Sequence, residues 1–253
     1  MSVEILVAAA VVPAAALLFL VYRMDTVEKE PWSLLGKLLL FGAISCIPAF
    51  VVEMVLDNAV GNILWAGSLP YYFARGFIVA ALVEESLKFL FLYLFTFKNK
   101  AFNYRFDGIV YAVFVSMGFA ILENVLYVLG NGLIEGEFSD GLRLAIIRAL
   151  LALPLHATCG VYMGISYGQQ KIRSLQRRTS FVRIALACLP MAILIHGLYD
   201  ALAFSAGDYP ICGMFFLLFV IAVFIVTVFR LKRASREDRP LEDKPAEEVI
   251  IDA

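Results

Sequence analysis

Residues 71–97, YYFARGFIVAALVEESLKFLFLYLFTF, carry ionisable side chains inside an apolar stretch. A run of about 20 mostly apolar residues is long enough to cross a bilayer as a helix, yet Glu84, Glu85 and Lys88 lie near the middle of this run. Each charge at the centre of a membrane helix costs roughly 2.5 to 3.5 kcal/mol on insertion scales, so such residues usually face the interior of a helix bundle and mark a functional site. The stretch therefore predicts a polar site between membrane helices.

The composition of the whole chain is typical of a membrane protein. Of its 253 residues, 62% are hydrophobic, which exceeds the roughly 45–50% of soluble domains. About seven runs are long enough to span a membrane, near residues 3–22, 33–56, 71–97, 107–130, 142–168, 181–205 and 209–230. We therefore predict an all-α, polytopic bundle of about seven transmembrane helices. The formal net charge is -1, and no basic nucleic-acid motif is present, so we expect no nucleic-acid partner.

The connections between these runs differ in charge. Lys and Arg cluster after the first, third, fifth and seventh runs, whereas the other connections hold acids only. The positive-inside rule then places the N-terminus outside and the C-terminus in the cytoplasm. We predict one multi-pass domain over residues 1–230 in the cell membrane, and a charged, disordered cytoplasmic tail over residues 231–253.

Both histidines of the chain, His156 and His196, fall inside predicted spans. Asp200 follows His196 by four residues, so the two side chains share a helix face, and Asp200 can orient the imidazole or bind a metal beside it. With a rise of about 1.5 Å per residue, the polar residues of four runs reach one layer in the middle and outer thirds of the membrane. These residues are Glu84, Glu85, Glu123, His156, His196 and Asp200.

The charges of the third run allow two pairings. Glu84 and Lys88 share a helix face, but Glu85 and Lys88 are also near neighbours. Either glutamate could therefore pair with Lys88 and leave the other as a general base.

The fifth run also carries a packing motif. Gly160, Gly164 and Gly168 recur every four residues, a pattern that lets two membrane helices approach closely. The same ridge continues backwards through His156 to Arg148, so we expect these polar residues to face a neighbouring helix.

Two histidines and a carboxylate, here His156, His196 and Glu123, form a nitrogen and oxygen ligand set that suits Zn²⁺ with an open position for water. A nearby glutamate could take the proton of that water, which would give metal-assisted hydrolysis inside the membrane. The chain contains no HExxH motif and no GxGD motif, so the designs built on those motifs are not expected.

Four short motifs, each in a predicted span, together resemble the PrsW family of intramembrane proteases. They are Glu84-Glu85-x-x-Lys88, Phe119-x-x-x-Glu123, His156 with upstream Arg148 and Pro154, and His196-x-x-x-Asp200. The resemblance covers about residues 70–205, the expected catalytic core, and extends distantly to the CAAX and bacteriocin-processing membrane proteases. Glu123 stands where the CAAX pattern has histidine, which argues against processing of prenylated proteins.

The resemblance implies a protease that cleaves a membrane-anchored regulator such as an anti-sigma factor. It implies that Glu84, Glu85 and His156 are essential for catalysis, and that Glu123, His196 and Asp200 complete the site. We expect Lys88 to be the charge partner of the glutamates, and Arg148 and Phe119 to position substrate.

Three alternatives remain open on the sequence. Related proteases activate water with Glu and His without zinc, so a metal-free reaction would use the same residues. A transporter could use the Glu, His and Lys cluster to relay protons or bind an ion. A scaffold protein could bind membrane partners through the face that carries Gly160 and Gly168. The oligomeric state is not predicted.

Overall fold

A computed structural model describes residues 2–135 and 137–241, and the regular structure in these ranges is helical. The helices are α1 Ser2–Met24, α2 Trp32–Ile63, α3 Leu69–Ala74, α4 Leu82–Thr96, α5 Asp107–Leu129, α6 Phe138–Leu150, α7 Ala152–Gln176, α8 Phe181–Ser205 and α9 Pro210–Arg236. A π-helical segment, Arg75–Ala81, joins α3 to α4, and a second one, Gly130–Glu135, follows α5. The predicted all-α class is confirmed.

Six helical stretches among the described residues are long and apolar enough to cross a membrane. They are Val3–Met24, Trp32–Ile63, Asp107–Leu133, Phe138–Gln176, Phe181–Ser205 and Pro210–Arg236. The continuous helix of residues 69–96 is the seventh candidate, and its charges set it apart from the other six. The polytopic helix bundle is therefore confirmed.

The helix connections meet at two opposite ends of the bundle. At the basic end, which comprises residues 25–31, 97–106 and 177–180, the Arg105 N–H donates to the Arg239 carbonyl over 3.0 Å. At the acidic end, which comprises residues 64–68, 131–135 and 206–209, the Tyr209 hydroxyl donates to the Gly67 carbonyl over 3.1 Å. Successive connections along the chain lie at opposite ends of the bundle, as expected for a chain that crosses the membrane seven times. Which end faces the cytoplasm stays a prediction of the positive-inside rule.

The predicted single span over residues 142–168 is wrong in one respect, because the helix breaks at Leu151 into α6 and α7. Pro154 explains the break. Proline has no N–H to donate to the carbonyl four residues earlier, and its ring clashes with that carbonyl. The break falls between Arg148 and His156, so it sets the angle between the helices that carry these two side chains.

Helix α5 forms the centre of the bundle, and nearly every side chain from Asp107 to Ala120 is buried. It packs most extensively against α7 and α2. A Cβ on Gly164 would lie 2.4 Å from Ile109 Cα, and one on Gly160 would lie 2.9 Å from Val113 Cα. The predicted close approach along the glycine ridge is confirmed, and its partner is α5 of the same chain. The scaffold interpretation is wrong, because α5 covers the face it requires.

The predicted tail does not begin at residue 231. Helix α9 continues to Arg236, and the following residues fold back onto the α4–α5 connection. There the Leu241 N–H donates to the Asn103 carbonyl over 2.8 Å, and the Asp238 carboxylate accepts the Phe106 N–H over 2.8 Å. Backbone pairing and the burial of Leu241 hold a segment whose charged composition had suggested disorder. Residues 242–253 lie outside the described residues.

Buried carboxylates gather beneath this segment at the basic end. Asp25 and Glu30 lie in the α1–α2 connection and are 1% and 4% exposed. The Tyr111 hydroxyl donates to Glu30 Oε2 over 2.6 Å, and the buried Asp107 carboxylate is a further acid of the same cluster. Burial raises the pKa of Asp25 to about 6 and that of Glu30 to about 7. The folded state therefore holds these protons more tightly than the unfolded chain does.

We expect Glu30→Gln to stabilise the protein at pH 8 by roughly 1 to 3 kcal/mol and to change little at pH 5. An acid with a raised pKa destabilises the fold as it ionises, so stability falls as the pH rises from the unfolded value of 4.5 to about 7. Glutamine keeps an acceptor for Tyr111 and removes this ionisation. Thermal unfolding can be followed with a thiol-reactive dye, because all four free cysteines are buried.

Glu28→Gln is the matched control, because Glu28 is exposed in the same connection. Since Glu28 is only a minor contributor to the raised pKa of Glu30, this variant should shift the unfolding temperature at pH 8 much less than Glu30→Gln does. Equal shifts at pH 5 and pH 8 for Glu30→Gln would contradict the assignment of this pH dependence to Glu30.

Candidate active site

Lys88 lies at the centre of the predicted site and is fully buried. Its Nζ atom is 2.9 Å from Glu84 Oε2 and 2.8 Å from Glu85 Oε1. Neither of the two pairings expected from the sequence occurs alone, because Lys88 reaches back along α4 to both carboxylates. The same ammonium lies 3.0 Å from His156 Nδ1 and 4.2 Å from the centre of the Phe119 ring. One cation thus joins α4, α5 and α7.

His196 contacts carboxylates through both ring nitrogens. Its Nδ1 lies 2.8 Å from Glu85 Oε1, and its Nε2 lies 3.3 Å from Asp200 Oδ2. The second contact is the spacing of four residues within α8 that the sequence predicted. Glu84 Oε1 lies 3.9 Å from the same Nε2. Glu85 therefore holds the ring from one side, while Glu84 and Asp200 face its other nitrogen.

Close packing of α8 against the π-helical segment brings His196 to Glu85. A Cβ on Gly76 would lie 2.6 Å from the Ala201 nitrogen and 2.7 Å from the Gly197 carbonyl oxygen. Only glycine permits this approach, because the atoms that would clash belong to backbone and cannot rotate away. π-helical turns are rare and often occur at functional sites, and this one ends at Ala81, three residues before Glu84.

Glu123 and Arg148 extend the site from the other side of His156. His156 Nε2 lies 3.0 Å from Glu123 Oε2, and Arg148 Nη2 donates to the same oxygen over 2.7 Å. Since Lys88 can only donate, His156 Nδ1 accepts, and the ring proton lies on Nε2, directed at Glu123. The chain of contacts fixes both the orientation and the tautomer of His156.

Asn124 belongs to the same network, and the sequence analysis did not select it. Arg148 Nε donates to Asn124 Oδ1 over 2.6 Å, and Asn124 Nδ2 donates to the Ala10 carbonyl over 2.7 Å. Its place beside Glu123, in an apolar run, was the available signal. The guanidinium of Arg148 is therefore engaged by site residues, and the Phe119 ring is buried against Lys88. Arg148 also lines the polar cavity that reaches the site and Phe119 the apolar one, so substrate positioning by these two residues stays a prediction.

Four side chains are arranged so that they could hold a metal ion. One ligand atom each from Glu84, Glu85, His156 and His196 lies within 4.8 Å of the others. The expected set had Glu123 in place of the two glutamates of α4. In the structure Glu123 faces the nitrogen of His156 that points away from Lys88, where a carboxylate orients a metal-binding histidine.

The site fits a divalent cation on two further counts. Glu85 Oε2 is buried and has no hydrogen-bond partner among the described residues, so one carboxylate oxygen is available. The site also has an excess of negative charge, because it contains four carboxylates and only two basic side chains, Lys88 and Arg148, among the residues described above. The carboxylates are those of Glu84, Glu85, Glu123 and Asp200. One adjustment is required. The Lys88 ammonium donates a hydrogen bond to the lone pair of His156 Nδ1. Lys88 must move away before that nitrogen can bind a metal.

Two cavities reach the site and share Glu84 and Glu123 in their walls. The polar cavity has a volume of about 480 Å³ and includes His156, His196 and Asp200. The apolar cavity has a volume of about 560 Å³ and lies between α2 and α5. Both also include Glu53 of α2. Glu53 was not among the expected site residues, although it is a charged residue in an apolar span, the same signal that selected Glu84.

Comparisons with known proteins agree with this geometry. Residues 30–229 match the PrsW family of intramembrane metalloproteases. "Protease PrsW" of Geobacillus kaustophilus is 34% identical, over 93% of this chain and 94% of the relative. The protein of the same name from Shouchella clausii is 32% identical over 91% of this chain and 97% of the relative. The one from Bacillus subtilis is 30% identical over 85% of this chain and 90% of the relative.

No solved structure matches the chain. The relatives give no support to the transporter alternative, because those named above are proteases that align over most of both chains. The matched region contains every site residue described above, from Glu53 to Asp200. The chain therefore belongs to the PrsW family of intramembrane proteases.

Proposed function

We propose that this protein hydrolyses a peptide bond of a membrane-anchored regulatory protein, such as an anti-sigma factor, at the Glu84–His156–His196 site. The observation that supports this most is the convergence of two imidazoles and two carboxylates within 4.8 Å of one another. Three of these residues, Glu84, His156 and His196, line a cavity inside a membrane helix bundle. Peptide hydrolysis needs a base for water, a proton for the leaving amine and stabilisation of the oxyanion. The residues present can supply all three.

Glu84 is the general base in this proposal. It lines both cavities, whereas Glu85 is completely buried and is held by Lys88 and His196. Glu84 takes a proton from water as the water attacks the scissile carbonyl, and it passes that proton to the nitrogen that leaves when the peptide bond breaks. Glu85 fixes His196 through Oε1, while its Oε2 has no hydrogen-bond partner among the described residues.

A divalent cation completes the site in our proposal, and Zn²⁺ suits the nitrogen and oxygen ligands. His156, His196, Glu84 and Glu85 would hold it, with some of these carboxylate oxygens left free for water. When bound, such an ion polarises the scissile carbonyl and acidifies water. Glu123 and Asp200 would orient the two imidazoles, and Arg148 would keep Glu123 ionised by pairing with it.

One contact supports the metal-free alternative. The Lys88 ammonium already lies among Glu84, Glu85 and His156, and it occupies the position where a cation would bind. In this mechanism Lys88 keeps its place and neutralises the carboxylates, while Glu84 activates water with His156 as its partner. The two mechanisms use the same side chains and differ in whether Lys88 moves.

A reconstituted cleavage assay with metal analysis tests the proposal. The purified protein in detergent is incubated with a panel of single-span membrane proteins that includes anti-sigma factors. We expect a new fragment with the wild-type protein, about one bound zinc per chain, and loss of cleavage with a chelator. His156→Ala should produce no fragment, because it removes a ligand and the partner of Glu123.

Each part of the proposal has its own contradicting result. Cleavage that persists with chelator in protein free of bound metal would exclude the zinc mechanism and leave the metal-free one. Identical fragments from the wild-type protein and His156→Ala would exclude the site itself.

A further inference from the structure

Helices α2 and α5 form a groove that is closed at one end and open at the other. At the closed end their backbones touch, since a Cβ on Gly42 would lie 2.1 Å from the Val115 carbonyl oxygen and one on Gly118 would lie 2.2 Å from the Leu39 carbonyl oxygen. Both helices run from the basic end toward the acidic end. Pro48 interrupts the hydrogen-bond ladder of α2 just beyond this contact, and the apolar cavity begins there.

The walls of the groove are apolar and face outward. Ile47, Phe50 and Val51 of α2 and Leu126 of α5 line it, and each is more than half exposed. In a bundle that spans a membrane, such side chains meet lipid. The groove nevertheless ends at charged residues, because Glu84 and Glu123 form part of the same lining. It therefore joins the lipid-facing surface to the proposed catalytic site.

Glu53 is a further charged residue on the groove wall, and it lies on α2. Its Oε1 atom is buried and has no hydrogen-bond partner among the described residues. The fold therefore does not use this acceptor, and a buried polar atom without a partner costs free energy. A lipid chain offers no donor to it. An unwound peptide does, because its backbone N–H groups lose their helical partners.

We propose that the α2–α5 groove admits one apolar, locally unwound segment of the membrane-anchored substrate, and that Glu53 accepts a hydrogen bond from its backbone. The proposal rests on the proposed function. A helix hides its peptide groups in its own hydrogen bonds, so a bond can be hydrolysed only where the helix opens. Each backbone group exposed to lipid costs several kcal/mol, and an acceptor at the groove lowers that cost beside Glu84.

Two neighbouring valines of α2 provide a matched pair of variants. Val51 lines the groove, whereas Val52 lines neither cavity, is exposed, and points about 100° away on the helix. We expect Val51→Trp to lower kcat/KM at least tenfold by filling the groove, and Val52→Trp to change it less than twofold. Both variants should keep the unfolding temperature of the wild-type protein.

Glu53 is tested by removal and rescue. Glu53→Leu removes the acceptor, so we expect kcat/KM to fall about tenfold with a higher KM. Glu53→Gln keeps a carbonyl acceptor and should retain most of the activity. If glutamine is as inactive as leucine, the negative charge or an acid proton of Glu53 is required, and our acceptor role is overturned.

Photo-crosslinking shows what occupies the groove. A photoreactive residue at Leu126, in the inactive Glu84→Gln background, should form an adduct with the single-span protein that wild-type enzyme cleaves. The same residue at Val52 should not. A lipid adduct alone at Leu126, or equal cleavage by Val51→Trp and Val52→Trp, would overturn the groove inference. Failure of wild-type enzyme to cleave any substrate would instead overturn the proposed function.

Discussion

Glu84→Gln should lower the rate of cleavage by about a thousandfold, the scale expected for loss of a general base. Glutamine preserves the shape of the side chain but cannot take a proton from water. Substrate binding should be nearly unchanged, so the loss should fall on kcat. Single-turnover cleavage of a substrate identified in the reconstituted assay measures this effect directly.

Glu85→Gln should be equally inactive but for a different reason. Glu85 bonds both Lys88 and His196 in a fully buried position, and removal of one partner from a buried ion pair costs about 3 kcal/mol or more. We therefore expect a lower unfolding temperature for Glu85→Gln than for Glu84→Gln. If Glu84→Gln keeps more than a tenth of the wild-type rate while Glu85→Gln does not, the two roles are reversed. Glu28→Gln is the control for both.

Arg148→Leu should destabilise the protein by about 1.5 to 3 kcal/mol, because it leaves the largely buried Glu123 carboxylate, whose side chain is 18% exposed, without its cation. The double variant Arg148→Leu with Glu123→Leu removes both charges and should recover most of this loss. It should remain inactive, because His156 then lacks the carboxylate that orients it. Thermal unfolding and cleavage of Arg148→Leu, Glu123→Leu and the double variant complete the cycle.

The same measurements test the role first expected for Arg148. If it only positions substrate, Arg148→Leu would raise KM at an unchanged unfolding temperature. Such a result would show that the contacts with Glu123 and Asn124 contribute little to the fold.

Much of the architecture could be predicted because lipid imposes simple rules on sequence. A spanning helix must be apolar over its length, so the seven runs matched helices whose ends differ by a few residues in most cases. For the same reason a charge inside such a run is conspicuous, and this selected Glu84, Glu85, Lys88, Glu123, His156, His196 and Asp200. The periodicity of one helix also predicted the contact between His196 and Asp200.

The spacing of residues within one helix could not predict contacts that depend on how two helices pack together. Lys88 bridges two glutamates and a histidine from α7, which no spacing within α4 could show. Glu53 was overlooked because no other residue of α2 relates it to the acids of the site. Only the two cavities show that it lies beside Glu84 and Glu123. The segment 237–241 is charged, and its pairing with residues 103–106 together with the burial of Leu241 holds it in place.

The sequence by itself determined that this chain crosses a membrane about seven times, that its charged residues form an internal site, and that their order resembles the PrsW family. These features depend on the cost of placing charge in lipid and on the period of a single helix. Only the tertiary structure decided that Glu84 faces the cavities, that Glu85 holds His196, and that Glu123 orients His156. Those roles depend on distances between different helices, which the glycine contacts of α5 with α2 and α7, and of the π-helical segment with α8, establish.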